Sequence, residues 1–362
     1  LRLIPPIFVL FIFTLYRVFV PTTSDVLEFI IQILVGTFVI VLPSFLYYVF
    51  SPLPEKGLGW VDIISGLWVW FPVEFGVLEI WLGKIELGQI PSETLLSLFA
   101  FMYALIFIRN HDMGLTFTLN KEDFVYLSKI NGLLVLFILP LGMIVYFLAP
   151  PKIILENFMI LVNDLPGSLI TVITTFLLIF LGIALIEEMF FRGFIYKLLE
   201  KKLSEGVFSP VWAYYGLVGL VLLIITTPWI DNILLILAEW IPFFRPVYAI
   251  VGPLARPLGD YEGQAWPLVE PVPLEFLYFL VAIILGTFAF IIVYKTQNPT
   301  IAALVLSSIL FGWAHFEDVR YIFFASVAGL GYGLVYEKTQ KIVPAAIVHM
   351  VVDAVWSLLL GF

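Results

Sequence analysis

Two carboxylates and a guanidinium stand inside an apolar run at Ile186-Glu187-Glu188-Met189-Phe190-Phe191-Arg192-Gly193-Phe194-Ile195-Tyr196. Upstream, Ser168 to Leu185 holds no ionisable residue. The charges therefore ride on a helix built to cross a membrane, where a central Asp or Arg costs roughly 2.5 to 3.5 kcal/mol on insertion scales. On an α-helix, adjacent residues point about 100° apart, so Glu188 and Arg192 share a face at i,i+4 while Glu187 looks toward the side of Phe191. One acid is neutralised locally and the other is left over. An unpaired carboxylate at that depth marks a functional site; the plainer reading is a structural Glu188–Arg192 bridge with Glu187 snorkelling to water.

The rest of the chain has the composition such a helix requires. Hydrophobic residues make up 62% and charged residues 12% of the 362, far outside the soluble range. Repeated apolar windows of about 20 residues predict an all-α, polytopic transmembrane helix bundle. The runs are continuous rather than alternating, which excludes a β-barrel. A net charge of −9 with no basic patch excludes a nucleic-acid partner. With no cysteine, disulfides, thiolate metal sites and thiol nucleophiles are all ruled out.

Spans are predicted near residues 5–20, 28–50, 60–83, 93–108, 131–149, 168–192, 208–229, 274–294, 299–316, 320–336 and 342–361, about eleven in a multi-pass cell-membrane protein. Asp62, Glu74 and Glu79 interrupt the third, as a polar seam or an interfacial segment. Arg109 to Lys129 is too charged to insert and reads as a surface linker or short amphipathic helix. Two regions follow: an N-terminal transmembrane region, 1–165, and a core, 166–362, interrupted by an insertion near 204–294 that holds the Pro-rich stretch Asp231 to Glu275. A weak internal echo joins two helix entries of the core. Tyr294-Lys295-Thr296-Gln297 leads into Ala302-Ala303, and Tyr336-Glu337-Lys338-Thr339-Gln340 leads into Ala345-Ala346, as if both helices ran the same way up.

Of three histidines, two sit in apolar spans: His315, at the end of Phe311-Gly312-Trp313-Ala314-His315, and His349, which shares a helix face with Asp353 at i,i+4. At 1.5 Å per residue, Glu187 lies about 21 Å back from Lys201, His315 about 24 Å beyond Pro299 and Asp353 about 18 Å beyond Lys341, so these three come to similar depths. His349, at about 12 Å, comes level only through a kink at Pro344, a tilt or an uneven start. A carboxylate, two imidazoles and an acid in a shielded space suit hydrolysis, which needs a base for water and donors for the developing oxyanion. Ser307 and Ser308 lack a base at usable spacing, and no Gly-rich phosphate loop is present.

In order along the chain, Glu187-Glu188-x-x-x-Arg192, Phe311-x-x-x-His315 and His349-x-x-x-Asp353 resemble the motifs of the CPBP family, the CAAX prenyl endopeptidase and bacteriocin-processing group of intramembrane glutamic proteases. The resemblance covers residues 168–203 and 295–361. It implies an intramembrane endopeptidase in which Glu187 activates water with His315, while His349 and Asp353 stabilise the oxyanion, Glu188 and Arg192 support them, and no metal or other cofactor takes part. It also implies membrane lipid and a peptide or membrane-protein substrate, including lipidated ones, as partners, in CAAX-type C-terminal processing. Two features depart from the family: the insertion is longer, and Asp353 stands where many relatives have Asn. Two other readings remain open. A zinc metalloprotease would use Glu187, His315, His349 and Asp353 as ligands, although His-Glu-x-x-His is absent. A transporter or non-catalytic scaffold would string the same groups along a relay.

Overall fold

The computed structural model describes residues 58–59, 62, 65–66, 86–87, 90–91, 105–106, 109–144, 148, 151–163, 165–205, 274–315 and 319–360. The predicted spans at 5–20, 28–50, 60–83, 93–108 and 208–229 and the Pro-rich stretch lie wholly or mostly outside the described residues. The chain divides into two units, Leu1–Met113 and Gly114–Phe362. In the first, Asp62 is fully buried, with Oδ1 3.0 Å from Arg109 Nε, and its Oδ2 accepts the Gly59 N–H at 2.8 Å. A two-residue antiparallel ladder pairs β1 (Glu86–Leu87) with β2 (Ile90–Pro91).

Helices build the second unit. α1 (Lys121–Ile144) begins ten residues before the predicted span because Asn120 and Asp123 close a reciprocal cap, Asp123 N–H to Asn120 Oδ1 at 2.7 Å and Asn120 N–H to Asp123 Oδ2 at 3.0 Å. The latter half of the expected surface linker is thus the first turns of this helix. α2 (Pro151–Asn163) was not expected at all; Pro151 suits its first turn, and the Asn157 amide donates to the Leu359 carbonyl at 3.3 Å.

α3 runs from Leu165 to Ser204, 40 residues or about 60 Å, twice the hydrocarbon thickness. Its first half is lipid-like on the outside, with Ile170 69% exposed and Leu178 48%. From Ala184 to Phe194 nearly every side chain is buried. Two π-helical stretches, Phe180–Ala184 and Met189–Tyr196, bracket the short α-helical segment Leu185–Glu188. Each π ring takes in one more residue than an α ring, so Met189–Tyr196 advances less along the axis than eight α residues would.

α4 (Leu274–Thr296), α5 (Pro299–Ala314), α6 (Val319–Thr339) and α7 (Ile342–Val355, continued by a π turn, Trp356–Leu360) follow. The sequence echo is structural as well. Gln297 and Gln340 both adopt left-handed backbone, φ 47° and 54°, and each donates its N–H four residues back, to Val293 at 3.1 Å and Tyr336 at 2.7 Å. Such αL caps end α4 and α6 alike. Both following helices start beside the same end of α3: Thr300 Oγ1 donates to Glu200 Oε1 at 2.9 Å, and Lys197 Nζ donates to Gln340 Oε1 at 2.6 Å. α5 and α6 approach until a Cβ on Gly312 would strike Ser326 and the Ile322 carbonyl. Among the described residues, three helical stretches, Lys121–Met143, Leu165–Ser204 and Ile342–Leu359, are long and apolar enough to cross a membrane, and the protein is a membrane protein.

Candidate active site

The shared starting end of α5 and α7 explains why three distant motifs meet. Counted from Glu200, Thr300 and Gln340, the motif residues all lie deep in the unit, and the π winding after Glu188 draws α3's carboxylates toward His349. Pro344 sits in the first turn of α7, where its missing N–H is harmless, so no kink is needed.

Glu188 and Arg192 pair as their spacing predicts, Glu188 Oε2 to Arg192 Nε at 3.2 Å, both side chains fully buried. The other Glu188 oxygen is 3.1 Å from His349 Nδ1. Arg192 Nη2 donates to the Gly329 carbonyl at 2.8 Å, and its guanidinium lies 5.2 Å from the Phe311 ring centroid. α6 comes this close because position 329 carries no side chain; a Cβ there would press on Phe311 and Arg192.

His349 is the centre of the cluster. Its Nε2 is 3.1 Å from Asp353 Oδ2 and 3.8 Å from Glu187 Oε2. That Glu187 oxygen is buried and makes no hydrogen bond, although the residue is 28% exposed. Tyr332, on α6, stacks on the His349 ring at 4.5 Å and 14°. His315 ends α5, its Nδ1 2.9 Å from the Phe311 carbonyl. A carbonyl only accepts, so Nδ1 carries the hydrogen, and in a neutral ring Nε2 is left as an acceptor. No carboxylate among the described residues approaches His315 as Glu187 approaches His349. Phe311 stands between the imidazoles, its centroid 4.9 Å from His315 and 5.4 Å from His349, and also meets Phe191 edge-on at 5.1 Å.

His315, His349, Asp353 and Tyr332 line one cavity of about 40 Å³, space for about three waters. The other walls are apolar, among them Ile138, Phe324, Val352 and Trp356. His315, His349 and Asp353 share this space, whereas Glu187 and Glu188 are not among its lining residues and stand behind His349, at 3.8 Å and 3.1 Å from its ring nitrogens. Among the described residues, no three His, Asp or Glu side chains are disposed to hold a metal ion.

Three contacts were not foreseen from the sequence: Phe311, named there only as a motif position, as the hub; Tyr332 against His349; and Glu188, expected to pair with Arg192, as a partner of His349 as well. Periodicity held a trace of the second, since Tyr321, Ala325, Ala328 and Tyr332 fall on one face of α6.

The model of the family described as Type II CAAX prenyl endopeptidase Rce1-like matches residues 169–355, more than half of the 362-residue chain, and spans all three motifs. No curated protein matches the chain, and neither does any solved structure.

Proposed function

We propose that this chain, which belongs to the Type II CAAX prenyl endopeptidase Rce1-like family, cuts a peptide bond with water activated by Glu187, the glutamic mode of intramembrane proteolysis. The family is one of proteases, and its substrates are peptides or proteins in a membrane. The finer reading is of a multi-pass cell-membrane enzyme of about eleven spans, with a catalytic core at 166–362 interrupted near 204–294 and an N-terminal transmembrane region at 1–165. It performs CAAX-type C-terminal processing on a lipidated substrate.

One observation carries the glutamic reading: the buried, unbonded Glu187 oxygen faces His349 across 3.8 Å. That gap is too wide for a hydrogen bond, so the two groups are not bonded to each other and can both address a water set to one side of the line that joins them. Glu187 takes a proton from water as the oxygen attacks the scissile carbonyl carbon. His315 holds the water through its acceptor Nε2, while His349 donates to the oxyanion from Nε2 once the substrate displaces Asp353 from that nitrogen. Asp353 and Glu188, at the two nitrogens of His349, fix its ring. The proton on Glu187 then passes to the departing amine nitrogen, and the C–N bond breaks.

The test is cleavage of a membrane-embedded CAAX-type peptide, prenylated and unprenylated, by purified wild-type and Glu187→Gln protein. Product from wild type alone supports the mechanism. Equal product from both proteins overturns it, and a preference between the two peptides reads out the role of the lipid.

A further inference from the structure

α6 contributes no carboxylate or imidazole to the site, yet five of its side chains line the cavity: Tyr321, Phe324, Ala325, Ala328 and Tyr332. Tyr321, Ala325, Ala328 and Tyr332, at i, i+4, i+7 and i+11, share one face over three turns, about 16 Å of helix, with Phe324 next to Ala325 at its edge. Each tyrosine meets one of the two histidines. Tyr332 stacks on His349 at 4.5 Å, and the Tyr321 ring lies 4.6 Å from His315 while stacking on Trp356 at 6.2 Å and 5°. The alanines stand between them, 4% and 5% exposed.

We infer that this Tyr-Ala-Ala-Tyr face is the specificity wall of the enzyme, and that Ala325 and Ala328 set the size of the apolar substrate side chain lodged beside the scissile bond. The inference rests on the hydrolytic reading of the same site. Three observations carry it. The cavity holds only about 40 Å³, so each carbon added at either alanine removes a large share of its space. Apart from His315, His349, Asp353 and the two tyrosines, its walls are apolar, which suits a hydrocarbon side chain. The two tyrosines are held by ring stacking on groups of other helices, so the ends of the wall are fixed, and between them Ala325 and Ala328, beside Phe324, are the positions where added carbon narrows the space.

The experiment uses two peptides that differ only in the residue flanking the scissile bond, alanine in one and leucine in the other. Cleavage is measured with wild-type, Ala328→Leu and Ala328→Gly protein. Equilibrium binding of the same labelled peptides is measured with each change in the Glu187→Gln background. Ala328→Leu is expected to weaken binding and cleavage of the leucine peptide by about tenfold or more while changing the alanine peptide less than about twofold. Ala328→Gly is expected to shift preference the other way, and it decides the matter should the leucine variant fail to fold. Equal effects on both peptides, or none on either, overturn the wall. Binding that follows the predicted order without any cleavage by wild type leaves the wall standing and removes the hydrolytic reading. Cleavage that ignores both substitutions does the reverse, and a wild-type protein that binds neither peptide removes both.

Discussion

Glu188 Oε1 lies 3.1 Å from His349 Nδ1 while its Oε2 faces Arg192 Nε at 3.2 Å, with glutamate and arginine fully buried and His349 2% exposed. One carboxylate thus serves two partners on two helices, α3 and α7. It neutralises a cation that would otherwise be stranded in low dielectric, and it fixes the plane of the imidazole at the centre of the cluster.

Glu188→Ala should therefore cost about 3–5 kcal/mol, the penalty for leaving one member of a buried pair unpaired. Thermal unfolding in detergent reads this directly. Adding Arg192→Met to Glu188→Ala should recover part of the loss, because the orphaned charge goes with it. An unaltered midpoint for the single variant contradicts the double role.

Glu187→Gln should behave in the opposite way. The group makes no hydrogen bond at its buried oxygen and is partly exposed, so the isosteric change should leave the unfolding midpoint close to wild type. Turnover should fall by about 10²–10⁴-fold, the range for losing a general base. A variant that loses stability along with activity assigns Glu187 to the bundle instead.

The helices of the core were legible because their ends carry punctuation. Asn298 accepts from the N–H groups of Thr300 and Ile301 with Pro299 behind it, and Gln340 closes α6 before Lys341 opens α7. As helices, the stretches expected at 274–294, 299–316 and 320–336 accordingly match α4, α5 and α6 within three residues at each end. α2 was illegible, because thirteen residues are too few for a span and its apolar residues, such as Ile160 and Leu155, point outward. In the site, the Glu188–Arg192 pair could be read from i,i+4 spacing alone. The Glu188–His349 contact could not, since it depends on π winding that nothing in Met189–Tyr196 announces, and Tyr332 acts by stacking, which leaves no charge to notice.

Gly312→Ala tests how close α5 and α6 must be. A methyl group there meets Ser326 and a backbone carbonyl, and overpacking of this kind costs about 1–3 kcal/mol. His315 lies three residues on, at the helix end, so activity should fall along with the unfolding midpoint. A variant with wild-type stability and turnover shows that the two helices can part without disturbing the site.

Metal dependence separates the glutamic reading from a zinc one. His349 has a carboxylate at each ring nitrogen, and His315 commits Nδ1 to the Phe311 carbonyl. A metal on His349 would have to displace one of those partners. Exhaustive chelation should leave peptide cleavage unchanged, and elemental analysis should find no stoichiometric zinc. Activity lost to chelation and restored by zinc reverses the assignment.

Asp353 admits two roles, and the geometry distinguishes what each requires. An ionised carboxylate beside a developing oxyanion repels it, so Asp353 assists directly only as a protonated donor. Otherwise it acts through His349, whose Nε2 is 3.1 Å away, one turn back on the same helix. The contact favours the second role, because the carboxylate is already engaged with the ring. With Glu188 at Nδ1 and Asp353 at Nε2, the imidazole is gripped at both ends by acceptors, and its orientation is fixed as long as both can only accept. Asp353→Asn keeps the shape but replaces one oxygen with an NH₂ group, which can turn a donor toward Nε2 and so stabilise the wrong proton arrangement on the ring. Turnover should fall by about tenfold or more with the midpoint of unfolding unchanged. The decisive measurement is cleavage of a membrane-embedded peptide by both proteins across the neutral range. An Asn variant equal to wild type at every pH removes the orienting role, while one that outperforms wild type assigns Asp353 to direct donation.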